Sequence, residues 1–256
     1  MSPKLEDSIA EVVFEMRWGS PEPPSAEQTS TYDLLLGRIS YALRLKYPFY
    51  ERLPTASFPP EIAFQVAPYV IQYRFRREED GYPLVQTGPK IITINDTTEY
   101  KWPTFKNDAK DAVDTLWQVY AELNSQFKQQ QRISRLTLRY LNAIQNLNFE
   151  QKTLGFLKKE LKTTVSLDKE LYKQVGIKEP PRMFDTRFTF DSVTPPGSAY
   201  FHFGRGEVKK TDALVWEIAV ESSQEIESDA DVESWLEDAH SFCAKWYKFL
   251  RGRENI

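Results

Sequence analysis

Residues Arg132–Asn142, RISRLTLRYLN, decide how this chain is read. Leu136, Leu138 and Tyr140 alternate with Arg135, Thr137, Arg139 and Leu141, the period of two that marks a strand buried on one face. The stretch begins just past the midpoint of 256 residues and follows a long amphipathic helical pattern. It reads as the first strand of a second half and as a central member of one sheet.

The residues before it spell a first series of elements. In Glu11–Trp18, Val12, Phe14, Met16 and Trp18 share one face, with Val13, Glu15 and Arg17 opposite. The prolines of Gly19–Ser25 lack the donor a ladder needs and end that strand. Tyr32–Tyr47 places Leu35, Leu36, Ile39, Ala42, Leu43 and Tyr47 at helical spacing, and Pro48 closes it. Phe49–Pro60 reads as a connector. Strands are expected at Ile62–Val66 and Tyr69–Arg77. Leu84–Thr87 and Lys90–Ile94 flank Gly88-Pro89 and are either two strands or one strand broken by a bulge. A helix over Asn107–Phe127 completes the series.

The second series follows a similar order. Phe149–Leu161 and Leu167–Val175 have helical spacing, and Phe184–Phe190, Ser198–Gly204 and Leu214–Val220 alternate as strands. Asp229–Leu250 is the strongest helical pattern, acidic at its start and basic near its end, as the helix dipole favours. The fold class is therefore α+β, with two pseudo-repeated β-α-βββ-α halves, residues 1–127 and 128–256. Such halves can merge into one curved antiparallel sheet with helices on one face, as in TATA-binding-protein-like and helix-grip folds. The alternative is two independent α+β domains.

One covered face leaves the other open to water or a partner. Alternation assigns to it Glu15, Arg17, Gln72, Arg74, Arg76, Thr137, Arg139, Asp185, Arg187, Thr189, His202 and Glu217. Five arginines then face three carboxylates, which suits an anionic partner surface or ligand. The plainer reading is a solvated sheet with cross-strand ion pairs of about 0.2–1 kcal/mol each.

Composition narrows the classes. A net charge of −4 excludes a global basic field for nucleic acid or anionic lipid. The single Cys243 excludes an internal disulfide and a cysteine-cluster zinc site, which fits a reducing cytoplasm. No apolar run approaches a membrane span, and MSPKLEDSIA lacks a signal-peptide core, so a cytoplasmic, soluble protein is expected. No Walker A loop, GxGxxG or HExxH occurs, and no cofactor or metal is expected. Only His202 and His240 are present. His240 lies near the polar boundary of the last helix as a structural histidine, whereas His202 sits on a strand face as a site candidate. Cys243 falls on an apolar helical stripe. Arg74–Arg77, RFRR, with Lys209-Lys210 and Arg251-Gly252-Arg253, supplies local basic character without a recognised RNA-binding motif.

Four stretches together carry a resemblance: Ala10–Trp18, Gln86–Ile94 (QTGPKIITI), Leu138–Asn142 (LRYLN) and the late helix with Ala239-His240. They resemble a sporadically distributed prokaryotic protein family of unknown function, although Leu141 stands where that family would have isoleucine. The resemblance implies mobile genetic material, as in antiphage-defence or toxin–antitoxin operons, and a non-enzymatic interaction or regulatory subunit with a protein partner encoded nearby. It supplies no catalytic residues. The alternatives are a nucleic-acid or nucleotide-ligand binding protein, or an enzyme whose site is assembled from scattered residues. The binding residues expected are Arg17, Arg74, Arg76, Arg139, Asn142, Arg187 and His202.

Overall fold

Val12, Phe14 and Met16 are buried, and the residues directly opposite them on both neighbouring strands are apolar or aromatic, with Asp96 the exception. Phe14 faces Ile94 on one side and Leu138 on the other; Met16 faces Ile92 and Leu136. Because side chains alternate across a strand, these pairs define one apolar face running through the sheet. The structure is a computed structural model that describes residues 9–19, 26–54, 67–97, 100–123, 132–145, 149–166, 168–178, 184–208, 210–223 and 229–251.

Its elements in chain order are β1 (Ile9–Trp18), α1 (Ala26–Arg44), β2 (Phe49–Arg52), β3 (Tyr73–Arg76), β4 (Leu84–Gly88), β5 (Ile91–Asp96) and α2 (Trp102–Leu123). There follow β6 (Ile133–Gln145), α3 (Phe149–Lys159), α4 (Lys169–Lys173), β7 (Asp185–Val193), β8 (Pro196–Val208), β9 (Thr211–Ser222) and α5 (Asp229–Arg251). All nine strands form one antiparallel sheet of order β2-β3-β4-β5-β1-β6-β9-β8-β7. The class is α+β, as expected, and the strand at Arg132–Asn142 is central. The division expected between residues 127 and 128 falls outside the described residues.

Helices α2 and α5 clamp the apolar face at its middle. Trp18 of β1 donates its indole N–H to the Tyr120 hydroxyl of α2, and the two rings meet edge to face at 6.2 Å. Trp102 of α2 stacks on His240 of α5 at 3.8 Å and donates to Glu237 at 3.1 Å. Lys106 pairs with the same Glu237 at 2.7 Å, and Lys110 with Glu233 at 3.1 Å. Beneath this contact Tyr140 of β6 bonds His240 Nδ1 at 2.6 Å and the Tyr100 hydroxyl at 2.8 Å. Burial holds both phenols above their ordinary pKa and His240 below its own, so this cluster is uncharged at neutral pH. His240 is structural, as its helical position suggests. Cys243 is fully buried, and burial raises its thiol pKa.

Several boundaries differ from the sequence reading. Phe49–Arg52 is a strand, not a connector; all four residues are exposed, so no burial alternation marks it. Tyr69–Arg77 begins as a turn at Ala67–Tyr69 and pairs only over Tyr73–Arg76. The strand expected at Ile62–Val66 lies outside the described residues. Gly88-Pro89 separates two strands, β4 and β5. Helix α1 starts at Ala26, six residues before its expected start, because its first turns are polar and carry no stripe. Helix α2 starts at Trp102, where Pro103 fits the first turn. Among the described residues no helix is long and apolar enough to cross a membrane.

The segment before β3 crosses the second sheet face at Gly88, where an added Cβ would lie 2.0 Å from the Val70 carbonyl oxygen. Lys90 N–H bonds Pro68 at 2.8 Å in the same crossing. Gly88→Ala therefore destabilises the protein by about 1–3 kcal/mol through forced backbone movement. Gly37→Ala, in α1 with nothing within 4 Å of its Cβ, instead gains about 0.5–1 kcal/mol. Urea unfolding of the two variants beside wild type measures both signs.

Candidate functional site

The face turned away from α2 and α5 carries a polar row across the whole sheet, beside buried apolar positions such as Val13, Ile91 and Ala219. One row of directly opposed residues runs Glu51, Arg74, Gln86, Thr93, Glu15, Thr137, Glu221, Ser198 and Asp191, one from each strand. At ordinary strand spacing this row spans about 38 Å. The expected face residues Glu15, Arg17, Arg74, Arg76, Thr137, Arg139, Asp185, Arg187, Thr189, His202 and Glu217 all share it by register; Gln72 lies just outside β3.

Asn142 does not. It lies three positions from Arg139, an odd offset that along a strand places the two on opposite faces. Asn142 is fully buried on the helical side, where its Oδ1 accepts from the Tyr247 hydroxyl of α5 and its Nδ2 donates to the Tyr140 and Trp216 carbonyls at 3.2 and 3.4 Å. The site expected from sequence therefore loses Asn142, which instead ties α5 to the sheet.

The arginine excess expected for this face also disappears. Glu51, Glu221, Asp191 and Glu11 add carboxylates that alternation alone did not count, against one further arginine, Arg135. Glu51 was missed because its strand was missed. Glu221 lies within 3.3 Å of Arg135, and Glu11 accepts from Asn95 at 2.6 Å. Arg74 donates to Gln86 at 2.9 Å; Gln86 donates to Thr93 and Asn95 at 3.2 Å. The β3–β1 side of the face is thus a closed hydrogen-bond relay ending at Glu11.

The arginines differ in what they hold. Arg17 bonds Glu15 at 2.7 Å and covers the Tyr69 ring, and Arg76 donates to the Gly81 carbonyl at 3.1 Å. Arg139 and Arg187, by contrast, make no hydrogen bond among the described residues. Arg139 Nε is buried without a hydrogen-bond partner and lies 3.9 Å from Glu217, too far for a hydrogen bond. Arg187 stacks over the Tyr200 ring at 3.8 Å. Arg187 thus covers Tyr200 and Arg139 stands beside it in register, neither guanidinium holding a hydrogen bond among the described residues, with Arg139 in an ion pair with Glu217.

Glu217 of β9 is the hub between them. It accepts from the Tyr200 hydroxyl at 3.2 Å and lies 3.8 Å from His202 Nδ1. His202 Nε2 meets Asp185 at 2.9 Å, so the imidazole bridges two carboxylates. Burial, then the nearby Glu217 charge, raises the Tyr200 pKa, which keeps its hydroxyl protonated as the donor in this pair. The elements explain the grouping: Glu217 stands opposite His202 and Leu141, while Arg139 and Tyr200 both stand opposite Ala219. A small residue at the crossing leaves room for two long side chains to converge. The arrangement can hold an acidic group between two arginines, beside a tyrosine and a histidine already engaged by Glu217 and Asp185. Among the described residues no group of histidine, cysteine or carboxylates is placed to hold a metal ion.

The two faces predict different mutant behaviour. Asn142→Ala removes buried hydrogen bonds and lowers unfolding free energy by about 1–3 kcal/mol, whereas Arg139→Ala, with no hydrogen bond to lose, stays within about 1 kcal/mol of wild type. Chemical denaturation of the pair, monitored by tryptophan fluorescence, tests this separation. No protein-family model matches the chain, and no curated protein matches it, so the geometry carries the functional reading.

Proposed function

We infer that the protein is a non-enzymatic binding subunit whose polar sheet face takes an acidic partner segment. The observation that carries this is the pair of guanidinium groups, Arg139 and Arg187, on either side of the Glu217–Tyr200 contact, which hold no hydrogen bond among the described residues in a face whose other expected site arginines do. Charged pairs on such a face set orientation and on-rate more than affinity. A broad sheet surface with charged and aromatic side chains suits a protein surface better than a small ligand. The partner is a protein encoded nearby, in an operon of the antiphage-defence or toxin–antitoxin type, as the family resemblance suggests.

The strand order supports the finer fold reading as well. The first strand of each half pairs with the last strand of the same half, β1 with β5 and β6 with β9. The halves differ in count, with four strands after the first helix against three. A two-half sheet of the TATA-binding-protein-like kind accounts for this order, with the face away from the helices as the docking surface.

A second reading rests on the Asp185–His202–Glu217 bridge, which resembles the oriented histidine of a general acid–base site. Turnover that His202→Ala abolishes with the fold intact would favour an enzyme over a binding subunit.

Charge reversal distinguishes the sites on the face. Binding to the co-purified operon partner is measured across a salt series for wild type, Arg139→Glu/Arg187→Glu and Arg74→Glu. The double variant loses about tenfold or more in affinity at low salt, while Arg74→Glu, already engaged within the sheet, loses less. RNA and DNA serve as further arms, since nucleic acid would give a linear fall of log K with log salt. Unchanged binding in the double variant overturns the assignment.

A further inference from the structure

The opposite side of the sheet holds a second feature, independent of the polar face. Helix cover on the apolar side is uneven. In the first half α1 spans 19 residues and packs against α2, but in the second half α3 spans only 11. Where that cover ends, over β7 and β8 beside the last turns of α5, a cavity of about 710 Å³ remains. That volume lies within the range of small-molecule sites.

Its walls are aromatic. Phe188 and Phe190 come from β7, Phe201 from β8, and Trp246 and Phe249 from α5. The Trp246 ring lies 5.7 Å from Phe190 and 5.5 Å from Phe201, so three elements meet in one apolar wall. Phe188, Phe190 and Phe249 remain 39 %, 46 % and 78 % exposed. Apolar side chains of the interior side of a sheet are ordinarily covered, and here they are not.

The rim is charged in one sense only. Lys162, whose ammonium also donates to the Lys159 carbonyl at 2.8 Å, and Lys245 line the opening, and among the described residues no carboxylate does. Lys162 sits in a left-handed turn (φ 50°) after α3, where Thr163 N–H returns to the Leu157 carbonyl at 3.0 Å. Lys245 makes no hydrogen bond or ion pair among the described residues. Aromatic walls alone would also suit a cation, but two ammonium groups at the mouth select against one. We propose that this cavity binds a small amphipathic anion, with an apolar acyl or aryl body against Trp246 and the phenylalanines and a single acidic head between Lys162 and Lys245.

Isothermal titration calorimetry on the full chain tests this with decanoate and 2-naphthoate, against decanol and decyltrimethylammonium as uncharged and cationic controls. One equivalent of at least one anion binds, and more tightly than either control. In Lys162→Glu/Lys245→Glu, a surface change that spares the apolar walls, anion affinity falls about tenfold or more while decanol is unaffected. Equal affinity for all three head groups, anion binding indifferent to the double variant, or no binding of either anion overturns the proposal. So does retention on anionic phospholipid vesicles without binding of the soluble anions, which would make the patch a membrane contact. Concentration-dependent dimerisation lost in Phe249→Ser, again without anion binding, would make it a self-association surface and overturn the proposal equally.

Discussion

The antiparallel ladder between β1 and β6, from Ile9 opposite Asn142 to Trp18 opposite Ile133, joins the first five strands of the sheet to the last four. Both strands are buried on the side where α2 and α5 pack, through Phe14, Met16, Leu136 and Leu138. A slip of one residue would turn those side chains to the polar face and bring Glu15 and Arg139 beneath the helices. Hydrophobic burial therefore sets the register, and the register in turn sets which polar residues meet on the far side. The Arg139–Glu217–Tyr200–His202 grouping follows in the same way from the β6–β9 and β8–β9 registers, since its members come from those three strands.

The two sides of the sheet are closed in different ways. The helical side is sealed by packing and by a small uncharged network in which Tyr140, Tyr100 and His240 satisfy one another. Such a network specifies how α5 sits on the sheet, because the Tyr140 hydroxyl is held from two sides, by His240 of α5 and by Tyr100. The polar side is held by exposed or half-buried pairs, each of modest stability. Its value lies in arrangement: hydrogen bonds hold Arg17, Arg74 and Arg76, whereas Arg139 is held by an ion pair with Glu217 and Arg187 by stacking on Tyr200.

Much of this was legible from alternation. Val12, Phe14, Met16 and Trp18 are apolar at every second position, and the structure buries all four. The polar face could be assembled from Arg17, Arg74, Arg139, Arg187 and His202 because parity along each strand is a local property. What parity cannot supply is the partner across the ladder. Glu51 was hidden in β2, a four-residue edge strand exposed at every position and flanked by prolines, which reads as a loop. Asn142 enters the expected site through the LRYLN resemblance, although its odd spacing from Arg139 already puts the two on opposite faces. The cavity beside Trp246 was invisible, because it arises from the shortness of α3 relative to the sheet it should cover.

On this view β1 and β6 unfold as one cooperative centre. Amide hydrogen–deuterium exchange on the full chain, followed by peptide-level mass spectrometry through increasing urea, examines this most directly. Amides of Val12–Met16 and of Leu136–Tyr140 are expected to be among the slowest to exchange and to lose protection together, at the free energy of global unfolding. Loss of protection in β6, β8 and β9 while β1 and β5 stay protected, or the reverse, would show two independent units and contradict the single-sheet centre.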